Sequence, residues 1–319
     1  MKKLLEMHDL MTKVAWKYYK EELTQKEIAE KMDISRFKVM DLLTEAKNQG
    51  IVEIRINSPF YNCLSIEKEL VDKFNLNDAI VVPSTNKYED IKEMIAYGGA
   101  IFLEEFISSG DKIGVGWGQT LYAMIESFNS ISDKFEDISI VHMWGGLTFE
   151  ALSLNPYDCA RNLADKLGGK CFYIFAPAII ESQKLRDAML YNKKIKSALE
   201  KAKKVDKALV GIGQVDDDAS LIQTGYISKE EMNKLKKKGA VGEILGRYYD
   251  INGIPVKSKF DDLIIGVDLD ELSKVDKVMV FAGGSHKTEA IYGALQGEYL
   301  DLLVTDEETA KMLLEFQIN

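Results

Sequence analysis

Apolar positions follow two rhythms along the chain. From Leu10 to Leu43 they return every three or four residues, the spacing of helices that bury one stripe. Beyond Ser58 and Pro59, short apolar runs alternate with amphipathic stretches, the texture of buried strands interleaved with helices. The first rhythm is clearly punctuated. Thr24 followed by Glu27 makes a capping box that opens a helix carrying Ile28, Ala29 and Met32, with Ala29 small enough to let a second helix cross closely. Asp33 stands where the chain must turn, and Asp accepts the left-handed conformation better than most residues. Ile34 then plugs the core, Ser35 caps the next helix, and Val39, Leu42 and Leu43 give that helix one apolar face. Gly50 suits the position past its end, and Ile51 to Ile56 alternates as a short wing strand carrying Arg55. A first helix around Leu10 to Lys20, including Trp16, completes a three-helix core.

This spacing is that of a winged helix-turn-helix, whose second helix enters the major groove of DNA with its N-terminal residues at the base edges. Arg36, Phe37, Lys38 and Asp41 are left facing outward. Arg36 is the candidate for bidentate bonds to guanine, with Ser35 and Phe37 beside it. Tyr18, Gln25, Lys38 and Arg55 suit phosphate contacts, which position without specifying sequence. Charge qualifies the picture. The chain carries a net −10, but residues 1–57 hold 11 Lys/Arg against 10 Asp/Glu, and the remainder 30 against 41. DNA affinity must therefore come from a local patch, and each weakly basic head gains from oligomerisation.

In the larger part the spacing predicts strands at Ala79–Val82, Lys112–Val115, Ile138–Met143, Cys171–Phe175, Lys207–Ile212, Leu263–Gly266, Val278–Phe281 and Leu302–Val304. Helices between them are punctuated at Asn155-Pro156 and Gly168, at Ser228 with Glu231 and Gly239, and at Thr305 with Glu308. The predicted architecture is doubly wound α/β, with a domain boundary that gives 1–57 and 58–319. Four strands run into glycines, in IGVGWGQT, HMWGGLT, VGIGQV and VFAGGSHKT. Ligands of open α/β sheets collect beyond the carboxyl ends of the strands, where glycines let backbone N–H groups approach an anion. Thr120, Thr148, Lys287 and Thr288 stand beside these glycines, so the domain reads as a holder of a phosphate or another small anion.

Other chemistries find no support. Gly114, Gly116 and Gly118 do not make a dinucleotide fingerprint, no nucleotide-binding P-loop occurs, and no general acid/base pair is evident. Cys63, Cys159 and Cys171 are scattered and read as reduced core thiols; His8, His142 and His286 have no ligand spacing, so neither metal nor cofactor is expected. The longest apolar runs are far too short to cross a bilayer, and Lys2 and Lys3 lead into no signal core, so a soluble cytoplasmic protein with no membrane partner is expected.

Taken together, AWKYYKEELTQKEIAEKMDISRFKVMDLL, GVGWGQTL, HMWGGL, NLADKLGGKCFYIFAPA, ALVGIGQV, GAVGEILGRYYDINGIPV and VFAGGSHKTEAIYGALQGEYLDLLVTDEETAKMLL resemble the SorC-type transcriptional regulators over nearly the whole length. The resemblance implies a sugar-binding effector domain of the sugar-phosphate isomerase/deaminase-like type, a phosphorylated sugar as effector, double-stranded operator DNA as partner, and a homo-oligomer, dimer or tetramer. It implies a phosphate-binding role for Lys287, with Gly145, Gly146, Leu147 and Thr148 and with Gly116, Gly118, Gln119 and Thr120 around the ligand. Glu243 falls where the family has an acidic residue suited to sugar hydroxyls, although Asp is common there. Met40 and Asp41 replace the usual serine and arginine, which bears on operator sequence and affinity. The expected function is regulation, as the repressor of a sugar catabolic operon. The alternatives are a sugar-phosphate isomerase/deaminase-like enzyme with a DNA-binding head, and a DNA-binding scaffold that has lost its ligand.

Overall fold

The computed structural model describes residues 2–52, 61–85, 87–146 and 156–317, and the chain divides into two compact units, Met1–Ser58 and Pro59–Asn319.

In the first unit, helices α1 (Lys2–Tyr19), α2 (Gln25–Met32) and α3 (Arg36–Asn48) pack around Met11, Val14, Ile28, Val39, Leu42, Leu43 and Ala46. The capping box at Thr24 and Glu27 is formed in both directions, with Thr24 N–H donating to Glu27 Oε2 at 2.8 Å and Glu27 N–H donating to Thr24 Oγ1 at 3.3 Å. Asp33 takes the left-handed conformation that the turn demands, with φ 52°, and Ser35 Oγ accepts from Lys38 N–H at 3.1 Å to start α3. Ile34 and Ala29 pack half-buried against this core. One expectation fails. Trp16 is 59% exposed and lies outside the core, because Met11, Val14 and Ala15 already fill the inner stripe of α1. The expected wing and its Arg55 lie largely in residues 53–60, outside the described residues.

Among the described residues the second unit holds ten strands: β1 (Asp78–Val82), β2 (Lys112–Val115), β3 (Ser139–His142), β4 (Lys170–Phe172), β5 (Lys207–Gly211), β6 (Gly213–Gln214), β7 (Ala240–Ile244), β8 (Arg247–Asp250), β9 (Lys277–Phe281) and β10 (Leu302–Asp306). Seven of them form a parallel sheet in the order β1-β10-β9-β5-β2-β3-β4. Successive side chains of a strand point to opposite faces, and here both faces are covered. Ala208 and Val210 of β5, with Val278 and Val280 of β9, enter one apolar cluster; Leu209, Met279 and Phe281 enter the other. This is why those strands read as unbroken apolar runs.

Two sequence expectations for this unit need correction, and one sheet has no counterpart among them. Leu263–Gly266 is no strand: Ile264 and Gly266 each make a single isolated bridge, to Ile179 and Trp144. The last helix is capped by Asp306, not Thr305, because Thr305 is still the penultimate residue of β10. A three-stranded antiparallel sheet, β6-β7-β8, was not expected at all. Its β7–β8 hairpin turns through Leu245 and Gly246, both at positive φ, 52° and 74°. Such a two-residue turn suits the twist of the strands, but Leu in the left-handed region costs about 1–2 kcal/mol.

Candidate functional site

The central strands β9, β5 and β2 are neighbours, and the chain leaves each of them at the same edge of the sheet. Beyond β2 come Trp117 and Gly118, the latter at φ 151°, and then the N-terminus of the helix Gln119–Ser127. Past β5 the chain runs through Ile212 into β6. Past β9 it passes Gly283 and Gly284 into a 3-10 turn, Ser285–Lys287, that opens the helix Thr288–Gln296. One pocket lies among these ends. Gly118, Gln119, Thr120, Gly213, Glu243 and Lys287 line it, with Trp117 and Leu245 as its apolar walls.

Two charged groups meet there. Lys287 Nζ donates to the Ile212 carbonyl at 3.0 Å. Withdrawal of this ammonium from water lowers its pKa to about 8, against the pull of Glu243 and Asp216. Glu243, only 9% exposed, reaches the pocket from β7, and its Oε2 accepts from Gly246 N–H at 2.7 Å. Burial pushes its carboxyl up to about 7, opposed by the Gly246 bond and by Lys287. Gly213 makes the approach possible, since a Cβ there would lie 2.1 Å from Glu243 Oε1. Trp117 is stacked on the buried Trp144, ring centroids 5.7 Å apart.

Of the residues expected around an effector, the fold brings together Gly118, Gln119, Thr120, Glu243 and Lys287. Gly116 does not line the pocket. Its N–H is donated to the Leu209 carbonyl at 2.9 Å, and its missing side chain leaves room for Leu245, whose Cδ2 a Cβ there would meet at 3.1 Å. Gly145 and Gly146 also stand away from the lining, their N–H groups spent on the carbonyls of Ile265 and Ala176, each at 2.8 Å. Leu147 and Thr148 lie outside the described residues. Sequence reasoning missed the group that shapes the Gly283-Gly284 loop. Asp306, fully buried at the end of β10, accepts from Gly284 N–H at 2.7 Å, from Ser84 Oγ at 2.9 Å and from Thr309 Oγ1 at 2.6 Å.

The two perturbed groups make folding stability depend on pH. Folded, Glu243 holds its proton up to about pH 7, against an ordinary 4.5, so the native state binds more protons in that window. Stability should therefore fall by about 2–3 kcal/mol as pH rises from 4.5 to 7. Lys287 acts at the other end: between about 8 and 10.5 the unfolded chain binds more protons, and stability recovers as pH rises. Denaturant unfolding of Glu243→Gln should lose the acid-side slope; an unchanged slope would place its origin elsewhere.

In the first unit, Tyr18, Ser35, Arg36, Phe37 and Lys38 are all exposed and Gln25 is half-buried. Phe37 is 79% exposed, unusual for an aromatic side chain with no partner to cover it. Arg36 and Gln25 meet across the starts of α3 and α2, Arg36 Nε donating to Gln25 Oε1 at 3.4 Å.

Residues 58–315 match the family model described as "Putative sugar-binding domain". The deoxyribonucleoside regulator of Bacillus subtilis (strain 168) is 32% identical over 310 residues, 97% of this chain and 98% of the relative. The transcriptional regulator YjhU of Escherichia coli (strain K12) is 31% identical over 316 residues, 97% and 95% of the two chains. Among solved structures, the full-length sorbitol operon regulator SorC of Klebsiella pneumoniae superimposes with a TM-score of 0.76 at 29% identity, covering 96% of this chain and 98% of that one. The fold is thus that of a sugar-binding α/β regulator domain. The chain belongs to the SorC-like sugar-binding family, whose relatives here are named transcriptional regulators. Among the described residues no helix is long and apolar enough to cross a membrane.

Proposed function

We propose that this chain is a DNA-binding repressor of a sugar catabolic operon, released or retained on its operator according to whether a phosphorylated sugar occupies the larger unit. Residues 1–57 bind DNA, and 58–319 bind the effector and form the oligomer. The observation that carries the reading is that Lys287 and Glu243 line one pocket at the carboxyl ends of three adjacent parallel strands. An ammonium beside a helix N-terminus suits a phosphate, and a carboxylate across the pocket suits the hydroxyls of the sugar it carries. The names of the relatives support the regulatory half. The ligand acts only through a difference in its affinity for the two DNA-related states, which a subunit rearrangement would supply.

The test is binding of the full chain to the promoter region beside its own gene, titrated with a panel of sugar phosphates. One member should shift the midpoint at least tenfold; no shift with any member would leave a DNA-binding scaffold. Arg36→Ala should weaken the cognate operator by about 1–3 kcal/mol more than random DNA. Equal loss on both would remove Arg36 from base readout.

One observation favours a second reading. A buried carboxyl titrating near 7 is the kind of group that serves as a general base, so an isomerase or deaminase activity has a candidate residue in Glu243. Turnover of ribose 5-phosphate or glucosamine 6-phosphate that disappears in Glu243→Gln would establish it.

A further inference from the structure

Helix α3 carries an outward row of side chains that guanine contacts by Arg36 leave unused. Its buried stripe is Val39, Leu42, Leu43 and Ala46. With 3.6 residues per turn, the opposite face is centred on Phe37, and Met40, Asp41 and Thr44 continue it over the next two turns. All four are exposed. Single exposed apolar side chains are ordinary. A phenylalanine and a methionine one turn apart, on the face that a helix-turn-helix turns toward DNA, form a patch that a partner covers.

The chemistry of the row narrows what it can read. Phe37 and Met40 carry no hydrogen-bond donor, and Asp41 as a carboxylate only accepts. Thr44 Oγ1 already donates to the Met40 carbonyl at 3.0 Å. The row therefore has no side-chain donor left for the N7 and O6 acceptors of guanine or the N7 of adenine. It offers apolar surface and an acceptor. In the major groove only thymine presents an apolar group, its C5-methyl, and the adenine paired with it presents an amino donor. Arg36 and Lys38, the cations on either side of Phe37, favour a polyanion over the apolar face of a second protein.

We propose that this row reads A·T pairs of the operator through the thymine methyl group, with Phe37 as the main contact and Met40 as a second apolar one. The proposal rests on the DNA-binding reading of residues 1–57 and names the base feature that the head recognises.

The test uses the full chain and the promoter region beside its own gene, with the protected segment mapped by footprinting and its thymines replaced one at a time by deoxyuridine. That exchange removes the methyl group and leaves every hydrogen-bonding group of the base in place. At one or more positions wild type should bind about three- to fivefold more weakly, the worth of one buried methyl group. Phe37→Ala should bind the thymine operator about tenfold more weakly and bind thymine and deoxyuridine duplexes alike at those positions. Phe37→Leu, which keeps an apolar side chain, should retain part of the preference, and Arg36→Ala should retain all of it. Because Phe37 is exposed, both of its variants should melt with wild type, so lost affinity cannot be ascribed to unfolding. A chain that binds no part of the promoter region overturns the DNA-binding reading and this proposal with it. Tight binding with no effect of deoxyuridine at any position overturns this proposal alone, as does a thymine preference that survives intact in Phe37→Ala. A change of oligomer mass in Phe37→Ala, measured by sedimentation without DNA, would also overturn it, by making the patch a contact between copies of the chain.

Discussion

Lys287→Met should make the chain blind to its effector, lowering affinity for the sugar phosphate by about a hundredfold or more while leaving operator binding in place. Truncating one partner of a buried, hydrogen-bonded charge pair costs roughly 2–5 kcal/mol, and the methionine stem preserves the packing so that the loss falls on the charge. The mechanism has two parts. The ammonium proposed to meet the phosphate would be gone, and Glu243 would lose the cation that opposes its upward shift, so it would be protonated at neutral pH and could no longer accept from sugar hydroxyls as a carboxylate. The free chain should not suffer, because the wild type keeps a desolvated ammonium against the single carbonyl of Ile212. Stability of the variant should equal or exceed that of wild type. Effector titration of operator complexes decides the matter: a wild-type response in Lys287→Met would remove this residue, and with it the phosphate end of the pocket, from the proposal.

How far the sequence revealed this site follows from which forces are local. A capping box, a left-handed Asp33 and a Ser35 cap are settled within a few residues, and all three stand where the spacing puts them. Seven of the eight expected strands exist, six of them because their apolar runs are largely buried whatever their neighbours are; the seventh, the edge strand β4, is exposed or half-buried and stops at Phe172 instead of running to Phe175. The glycines were harder to read. Gly116, Gly145 and Gly146 look like ligand loops, but Gly116 makes room for Leu245, and Gly145 packs against the backbone of Ala176 and Pro177 at 2.5 Å from where its Cβ would be. A glycine declares only that something comes close, and its sequence neighbours do not say what. The β7–β8 hairpin was missed because a Leu-Gly turn is a weak signal, although Arg247–Asp250 with its paired tyrosines is good strand sequence. Leu263–Gly266 failed for the opposite reason: an apolar run with a glycine stop is strand-like locally, and only the surrounding chain denies it a ladder.

Asp306 is the clearest case of a residue whose importance is entirely tertiary, and Asp306→Ala should be the most destabilising change considered for the larger unit. Its two oxygens accept from Gly284 N–H, Ser84 Oγ, Thr309 N–H and Thr309 Oγ1, tying β10, the last helix and the loop after β9 at one buried point. Alanine removes a helix cap worth about 1 kcal/mol and leaves a buried Gly284 N–H without an acceptor, at roughly 1–3 kcal/mol. With the hydroxyl bonds included, the loss should reach about 3–5 kcal/mol, lowering Tm by about 6–15 °C. Asp306→Asn separates this from a charge effect. It keeps one acceptor oxygen but turns an N–H₂ toward one of the donors, so it should lie between alanine and wild type. Thr309→Ala, which loses the hydroxyl bond and retains the cap and the Gly284 bond, should cost least of the three. The consequence reaches the pocket, because the turn that carries Lys287 begins at Gly284. Where Asp306→Asn remains folded it should still bind the sugar phosphate several-fold more weakly, whereas Thr309→Ala should bind it as wild type does. Equal affinity in both would mean that the loop holds its shape without the buried carboxylate.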